Sequence, residues 1–324
     1  ADIAAWGRRA AQFANPASDC RTITIEDGFL RSVGLGAGFV TPISLVFDQT
    51  GIYYDPSRPS DLETILQHGS FSDDDRARGR ALRELIVNSR LTKYNLQTDG
   101  DGLNLPPDKP VILVPGQVAD DESIRLGAAN LTRQAPWAEG GANLALLRAV
   151  RARNPDAHII YKPHPDVEAG FRAGRIAAPV MAELADEVYS GAGITSLFKH
   201  VSAVETATSL AGFEALLRDI PVVTHGTPFY AGWGLTEDLA PNARRTCLRT
   251  LDELVAACLI RYPLYVAPGT RHVCPVEIAA QLLVEERKKP QTMASWSQSL
   301  AKKAFAKLRY ITINLFGVDS GPRV

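Results

Sequence analysis

Cysteine is scarce in this chain, and the four cysteines are scattered without a CxxC pair: Cys20, Cys247, Cys258 and Cys274. This spacing argues against a structural zinc site or a disulfide framework, and it fits a reducing compartment. Long apolar runs are absent as well, since no uninterrupted stretch reaches the roughly 18 residues of a membrane-spanning helix. We therefore expect a cytoplasmic protein without a spanning helix.

A strong net charge is also missing. The chain has 35 Lys and Arg against 36 Asp and Glu, which gives a formal net charge of −1, so overall charge does not favour nucleic acid as a partner. Hydrophobic residues make up 45% and charged residues 22%, as in ordinary globular proteins. The 324 residues are enough for one large domain or two ordinary ones.

A stretch rich in Gly, Pro, Asp and Asn at residues 95–110 predicts a domain boundary. We expect an acceptor-side domain over 1–105, a Rossmann-like domain over 106–275, and C-terminal helices over 276–324. Because the chain opens without Met on the apolar run DIAAW, we expect the first domain to be incomplete at its N-terminus. In this domain the pattern predicts strands at 22–25 and 43–47 and helices at 60–67 and 73–91.

Strands and helices alternate after the boundary, which predicts a doubly wound parallel sheet. Ligands of such sheets bind at the carboxyl ends of the strands, and the predicted strands all end in polar or turn residues. The predicted strands are 111–116, 157–163, 202–208 and 221–226, and the predicted helices are 143–155, 179–188, 195–201 and 209–219.

Two prolines bracket a histidine in YKPHPD, residues 161–166. Prolines this close end a strand and fix the backbone around Lys162 and His164, which can then bind a phosphate as donors. The alternative is a surface loop with a solvated lysine and a hydrogen-bonded histidine.

Hydroxyl residues open the helix predicted in TSLAGFEAL. Thr208 and Ser209 can be plain N-caps, or their hydroxyls and the free N–H groups can hold a phosphate. Glu214 can accept hydrogen bonds from a ribose diol, or it can be a solvated residue of the helix face.

Acids follow a strand in PGQVADDESI, where Gln117, Asp120 and Ser123 are candidates for substrate binding and Asp121 for catalysis. Three acids in a row are typical of a helix N-terminus, but a carboxylate at this edge of the sheet can also act as a nucleophile or base.

Adjacent acids recur in IEDGFLR, where Glu26 and Asp27 precede a glycine. Neighbouring carboxylates repel each other, so the pKa of one can rise toward acid/base use; the alternative is an acidic turn. Arg31 is a candidate for binding a substrate carboxylate.

In PFYAGWGLTED, glycines between aromatics predict an irregular loop. Such a loop can form a wall of a base or sugar pocket, with Tyr230 as the candidate contact; the alternative is that the aromatics pack in the core.

Together these motifs resemble those of bacterial sialyltransferases that use CMP-sugars. A closer resemblance covers nearly the whole chain and is to the capsular polysaccharide β-Kdo transferases of the KpsC type, which usually have two modules. The stretches that carry it are EDGFLRSVGLG, ISLVFDQTGIYYDPSRPSDLE, VPGQVADDESI, YKPHPDVEAG, TSLAGFEALL and PFYAGWGLTED. VPGQVADD and PFYAGWGLT look closest to the carboxyl-terminal module, and Glu205 departs from the family pattern.

The resemblance implies a GT-B-like α/β fold, with two Rossmann-like domains facing a cleft. It implies CMP-Kdo as donor, retention of the β configuration, and an oligo-Kdo linker on a (lyso)phosphatidylglycerol-type lipid as acceptor. A second transferase module or capsule-export proteins are the implied partners. CMP carries a single phosphate and no ligand cluster is visible in the sequence, so we expect no metal and no other cofactor.

The resemblance also assigns roles to the candidate residues. Asp121 is the expected nucleophile with Asp120 beside it, and Asp27, before Glu26, is the expected acid/base. The residues expected to hold the phosphate and the ribose of CMP are Lys162, His164, Ser209 and Glu214.

Other functions stay open. One is a different GT-B transferase that uses CMP-sialic acid or a CDP-polyol. Another is a non-catalytic module that binds a CMP-sugar or a partner, although intact acids at Asp27 and Asp121 disfavour it.

The segment 297–316 combines four cations with apolar residues at helical spacing. Such a basic amphipathic helix can lie on an anionic membrane, which predicts a peripheral protein of the inner membrane; the alternative is a helix that packs on the first domain.

Overall fold

The computed structural model describes residues 2–7, 21–33, 41–93, 95, 103, 105–136, 139–190, 193–268, 270 and 272–288. Two sheets are built from the strands β1 Ile3–Trp6, β2 Thr22–Asp27, β3 Ser44–Asp48, β4 Val111–Pro115, β5 His158–Lys162, β6 Glu187–Val188, β7 Ala203–Thr206, β8 Val222–Thr224, β9 Glu237–Asp238, β10 Pro263–Val266 and β11 Val273–Cys274.

Short helices connect and cover the strands. The α-helices are α1 Asp61–His68, α2 Asp73–Asn88, α3 Glu122–Gly127, α4 Ala129–Thr132, α5 Ala142–Arg153, α6 Pro165–Glu168, α7 Ala178–Leu184, α8 Leu210–Leu216, α9 Leu251–Val255 and α10 Val276–Lys288. A π-helical turn, Ala256–Arg261, extends α9, and two 3₁₀ turns lie at Ile194–Ser196 and Phe198–His200.

The second sheet is parallel throughout, in the order β6-β5-β4-β7-β8-β9. Every residue of the central strand β4 is buried, as its uninterrupted apolar run predicts. The strand order reverses between β4 and β7, the two neighbours that open opposite halves of the sheet. In open α/β sheets the ligand crevice lies at this switch point, beyond the carboxyl ends of the strands.

The first sheet has the order β1-β2-β3-β10-β11, with β1 and β2 parallel and the other neighbours antiparallel. Its last two strands come from the chain after β9, so the polypeptide returns to the first sheet before residue 275. The predicted domain bounds stay a prediction, but β10 falls in the range expected for the second domain and pairs with β3. A four-residue strand does not reveal its partner, because the pairing is made by tertiary contact.

Serine side chains cap the first two helices. The Ser60 side chain accepts a hydrogen bond from the Glu63 N–H at 3.1 Å and begins α1. Ser72 and Asp75 form a reciprocal capping box at the start of α2. Helix α10 packs beside α2 through the Arg78–Glu277 ion pair. The remainder of the predicted C-terminal segment, 289–324, lies outside the described residues.

Two predicted helices differ from the structure. The helix expected over 179–188 ends at Leu184, because Asp186 turns toward the sheet: its carboxylate accepts from the Ile159 N–H at 2.8 Å, and its own N–H donates to the Ile159 carbonyl. The helix expected over 195–201 consists of the two 3₁₀ turns.

One hydrophobic cluster runs through both halves of the molecule. Its centre is aromatic: Phe29, beyond β2, lies 4.3 Å from the Phe229 ring of the second half and 4.8 Å from Tyr53, and Phe213 of α8 lies 5.4 Å from Phe229. The two sheets therefore share a core beneath the cleft that separates their edges. Among the described residues, no helix combines the length and apolar character needed to cross a membrane.

Candidate functional site

A cleft of about 410 Å³ lies between the carboxyl edge of the second sheet and the end of β2. Most of the residues predicted for a site line it: Glu26, Asp27, Gln117, Asp121, Ser123, Lys162, His164, Thr208, Ser209 and Glu214. Arg31, Asp120 and Tyr230 are not among the lining residues.

Gln117 and Thr208 meet at the switch point between β4 and β7. The Gln117 amide donates to the Thr208 hydroxyl at 3.0 Å and accepts from the Thr208 N–H at 3.0 Å. Buried Asn143, at the start of α5, holds the Gln117 backbone from behind, since its side chain accepts from the Gln117 N–H and donates to the Gln117 carbonyl. These residues fix the floor of the cleft.

Lys162 and His164 stand at the end of β5, as the flanking prolines predict. His164 caps α6, and its Nδ1 accepts the Asp166 N–H at 3.1 Å. Burial lowers the pKa of His164, so the ring is neutral near pH 7 and carries its proton on Nε2, where it can donate. Burial also lowers the pKa of Lys162, whose ammonium lies 5.8 Å from the centre of the Tyr189 ring.

The start of α8 is held from two sides. The Ser209 hydroxyl caps the helix by accepting from the Ala211 N–H, and the Tyr230 hydroxyl donates to the Ser209 carbonyl at 2.6 Å. Tyr230 is fully buried, so it supports Ser209 from within the core and does not line the cleft. Further along α8, burial raises the pKa of Glu214, and its carboxylate accepts from the Lys93 N–H at 2.9 Å.

The paired acids of the first sheet have different surroundings. Burial raises the pKa of Glu26 to about 7, and the nearby charges of Asp27 and Asp121 act in the same direction. Asp27 forms an ion pair with Arg31 at 2.5 Å, and its other oxygen, Oδ1, is buried without a hydrogen-bond partner. Arg31 is itself buried, so it faces Asp27 and not the cleft.

Asp121 caps α3. One of its oxygens, Oδ1, accepts from both the N–H and the hydroxyl of Ser123, at 2.9 and 2.6 Å. These bonds fix the carboxylate and leave Oδ2 for a ligand. The neighbouring Asp120 is exposed and pairs with Arg172 at 2.9 Å, outside the cleft.

A family model described as "Capsule polysaccharide biosynthesis protein" matches residues 2–97 and 80–267. The chain belongs to this capsule polysaccharide biosynthesis family. The resemblance to capsular polysaccharide biosynthesis proteins that the motifs indicate is therefore confirmed.

The curated relatives that the chain matches are longer proteins. The chain is 44% identical over 285 residues to the capsule polysaccharide modification protein LipA of Neisseria meningitidis serogroup B, which covers 88% of this chain and 38% of that protein. It is 40% identical over 303 residues to the lipopolysaccharide-processing protein LpsZ of Rhizobium meliloti, covering 92% of this chain and 67% of that protein. The chain thus spans well under half of the length of LipA.

Two solved structures of β-Kdo transferases share the fold. One is the β-Kdo 2,7 transferase of Thermosulfurimonas dismutans KpsC, with a TM-score of 0.71, 35% identity, and coverage of 89% of this chain and 86% of that one. The other is the β-Kdo 2,4 transferase of the same KpsC, with a TM-score of 0.75, 32% identity, and coverage of 87% and 86%. The predicted GT-B-like α/β fold is confirmed.

The cleft of this capsule family member also contains residues that the motif analysis missed. Tyr53 and Tyr54 line it, and burial raises the pKa of both hydroxyls above the ordinary value. Lys93, Thr92 and Glu122 line it too. For Tyr53 and Tyr54, the only hint in the sequence is that two adjacent tyrosines follow a turn. Lys93 comes just before the 95–110 stretch, and no periodic pattern there indicates a role for it.

Glu205 lies away from the cleft. It is buried, its Oε2 is 2.7 Å from His225 Nε2, and its Oε1 accepts from the Asn154 amide at 2.8 Å. The residue expected to depart from the family pattern therefore makes buried polar contacts with the residues that follow α5 and β8. Among the described residues, no group of three or more His, Cys, Asp or Glu side chains is arranged to hold a metal ion; the expectation that no metal is needed stays a prediction.

Proposed function

We propose that this chain is a retaining glycosyltransferase that moves β-Kdo from CMP-Kdo to a Kdo-terminated glycan. The observation that carries the proposal is the arrangement of the cleft, in which Asp121 of the second half faces the acids of β2 while Lys162 and His164 stand beside it. The likeness to two KpsC Kdo transferases supports the same activity.

The donor is proposed to lie against the second sheet. The Lys162 ammonium, the His164 Nε2–H and the Ser209 hydroxyl supply donors to the single phosphate of CMP, and they offset its charge as it leaves. Glu214 is the proposed partner of the ribose hydroxyls.

Retention of configuration calls for two displacements at the anomeric carbon. In the first, Oδ2 of Asp121 attacks that carbon, and the bond to the phosphate oxygen breaks so that CMP leaves with the electron pair. Because Ser123 holds Oδ1 with two hydrogen bonds, Oδ2 is the oxygen proposed to attack. The product of this step is a Kdo ester of Asp121.

In the second displacement an acceptor hydroxyl attacks the same carbon, its proton passes to a carboxylate, and Asp121 leaves as the free carboxylate. The sequence prediction gave the proton to Asp27 before Glu26. The ion pair of Asp27 with Arg31 and the Glu26 pKa of about 7 support the reverse order, since a base works best when its pKa lies near the working pH.

The acceptor is proposed to be an oligo-Kdo linker on a phosphatidylglycerol-type lipid at the inner membrane. The basic amphipathic segment 297–316, which lies outside the described residues, is the proposed membrane contact. The second transferase module or export partner implied by the resemblance remains part of the proposal, in keeping with the greater length of LipA.

The test is to incubate the protein with CMP-Kdo and a short soluble Kdo acceptor. We expect CMP release that depends on acceptor, and a product one Kdo heavier by mass spectrometry. The Asp121→Asn variant is the control. No CMP release, or equal use of CMP-sialic acid or of a CDP-polyol, would contradict the proposed donor.

A further inference from the structure

The charges of the cleft are unbalanced. Five carboxylates line it: Glu26, Asp27, Asp121, Glu122 and Glu214. Two lysines, Lys93 and Lys162, also line it, and no arginine is found among the described residues of its lining.

The backbone of Lys93 is fixed to both halves of the molecule. Its N–H donates to Glu214 of α8 at 2.9 Å, and its carbonyl accepts from the N–H groups of Arg31 and Ser32, each at 3.2 Å. The residue is half-buried. Because the backbone of Lys93 is already ordered, binding of a ligand by its ammonium costs only the conformational entropy of the side chain.

Lys93 lines the cleft together with Glu26, the proposed acid/base, and His164, a proposed ligand of the phosphate. Burial raises the pKa of Glu26 and lowers the pKa of His164; the positive charge of Lys93 opposes the first effect and adds to the second, so it acts on both groups. Lys93 therefore shares the cleft with the proposed acid/base and the proposed phosphate site, and the reacting carbon of the donor has to lie between these two.

The donor, as the proposed function has it, carries two anionic groups on that carbon. One is the phosphate and the other is the carboxylate of the 2-keto sugar acid. Lys162 and His164 are assigned to the phosphate. Arg31, the sequence candidate for the carboxylate, is buried against Asp27 and does not line the cleft.

We propose that Lys93 binds the sugar carboxylate of the donor and so selects 2-keto sugar acids over neutral sugars. This inference rests on the proposed function for the identity of the donor. The donor carries two negative charges. Lys162 then faces the charge of the phosphate, and Lys93 is the second cation, which faces the charge of the sugar carboxylate.

Equilibrium binding separates this role from the alternatives. CMP lacks the carboxylate and CMP-Kdo has it, so the ratio of their dissociation constants isolates the carboxylate contact. We would measure both by calorimetry in the Asp121→Asn background, in which the donor is not consumed. Lys93→Met should weaken CMP-Kdo by about tenfold or more and change CMP by less than about twofold. Lys93→Arg should restore most of the preference for CMP-Kdo.

Lys162→Met is the matched control, because it should weaken CMP and CMP-Kdo alike. If Lys93→Met weakens both ligands equally, Lys93 belongs to the phosphate site or is structural, and the proposal is wrong. Turnover by the otherwise unaltered protein is scored separately. If the protein with Lys93 and Asp121 intact releases no CMP from CMP-Kdo, the proposed function is wrong. The binding data then decide the role of Lys93 alone. If the protein that retains Lys93 binds CMP and CMP-Kdo with equal affinity, the assignment of Lys93 to the sugar carboxylate is wrong.

Discussion

Replacing Glu26 by Gln should stabilise the folded protein, and the gain should grow with pH. The folded-state pKa of Glu26 is about 7, against an ordinary value of 4.5, because the carboxyl is buried beside other acids. Between these two values the folded state keeps a proton that the unfolded state has lost. Folding of the unaltered protein therefore becomes less favourable as pH rises through this window.

The magnitude follows from the size of the shift. A difference of about 2.5 pKa units corresponds to ~3 kcal/mol of unfolding free energy that is fully present below pH 4.5 and lost above pH 7. Gln has nearly the same volume and keeps an oxygen to accept the Asp27 N–H, a bond of 3.0 Å. The variant removes the buried charge with little change in packing.

Urea unfolding at several pH values between 5 and 8 tests this expectation. The gap between Glu26→Gln and the unaltered protein should stay below ~1 kcal/mol at pH 5 and approach ~3 kcal/mol at pH 8. Exposed Glu285 provides the matched control, since Glu285→Gln removes the same charge from the surface of α10. A gap that does not vary with pH, or a variant that is less stable at pH 8, would refute the reasoning.

Four further outcomes are expected. Asp121→Asn should abolish transfer and the covalent Kdo adduct seen by mass spectrometry, while CMP still binds. If the rate decreases by less than about tenfold, which corresponds to ~1.4 kcal/mol of barrier, Asp121 is not the nucleophile. His164→Ala should weaken CMP by about tenfold in calorimetry, because a buried donor is lost, and unchanged affinity would place the phosphate elsewhere. Glu63→Gln should lower the free energy of unfolding by ~3 kcal/mol, measured by circular dichroism, since it removes the carboxylate that pairs with buried Arg245 at 3.0 Å. Deleting 297–324 should reduce binding to phosphatidylglycerol vesicles and spare transfer to a soluble acceptor; loss of both at every salt concentration would make the segment a structural strap.

The sequence allowed the second sheet to be predicted well. Strands β4, β5, β7 and β8 are short apolar runs that end in turn residues, and each was placed within a few residues of its position. The two-residue strands β6, β9 and β11 were missed because two residues carry no periodicity. Strand β10 was missed because its partner β3 lies more than 200 residues earlier in the chain.

The candidate site was predictable where the rule of strand ends applies. That rule brings Asp121, Lys162, His164 and Ser209 to one edge, and they do line one cleft. It cannot find Lys93, which is positioned by backbone bonds to distant parts of the chain.

The aromatic loop shows the opposite case. Phe229 lines the cleft, whereas Tyr230 and Trp233 are fully buried. The Tyr230 hydroxyl and the Trp233 ring N–H find carbonyl partners inside the core, at 2.6 and 2.9 Å. Their polar atoms are thereby satisfied without solvent or ligand, which no pattern of neighbouring residues reveals.

The aromatic contact between Phe29, Phe213 and Phe229 has a consequence for engineering this fold. Exchange of the first and second halves between relatives is one way to build new variants of this fold. Here the three rings come from both halves: Phe29 stacks on Phe229, and Phe213 packs at a tilt against both. A chimaera joined within 95–110 takes Phe29 from one parent and Phe213 and Phe229 from the other. Such a design therefore has to keep all three aromatic residues from one parent so that the rings still pack together.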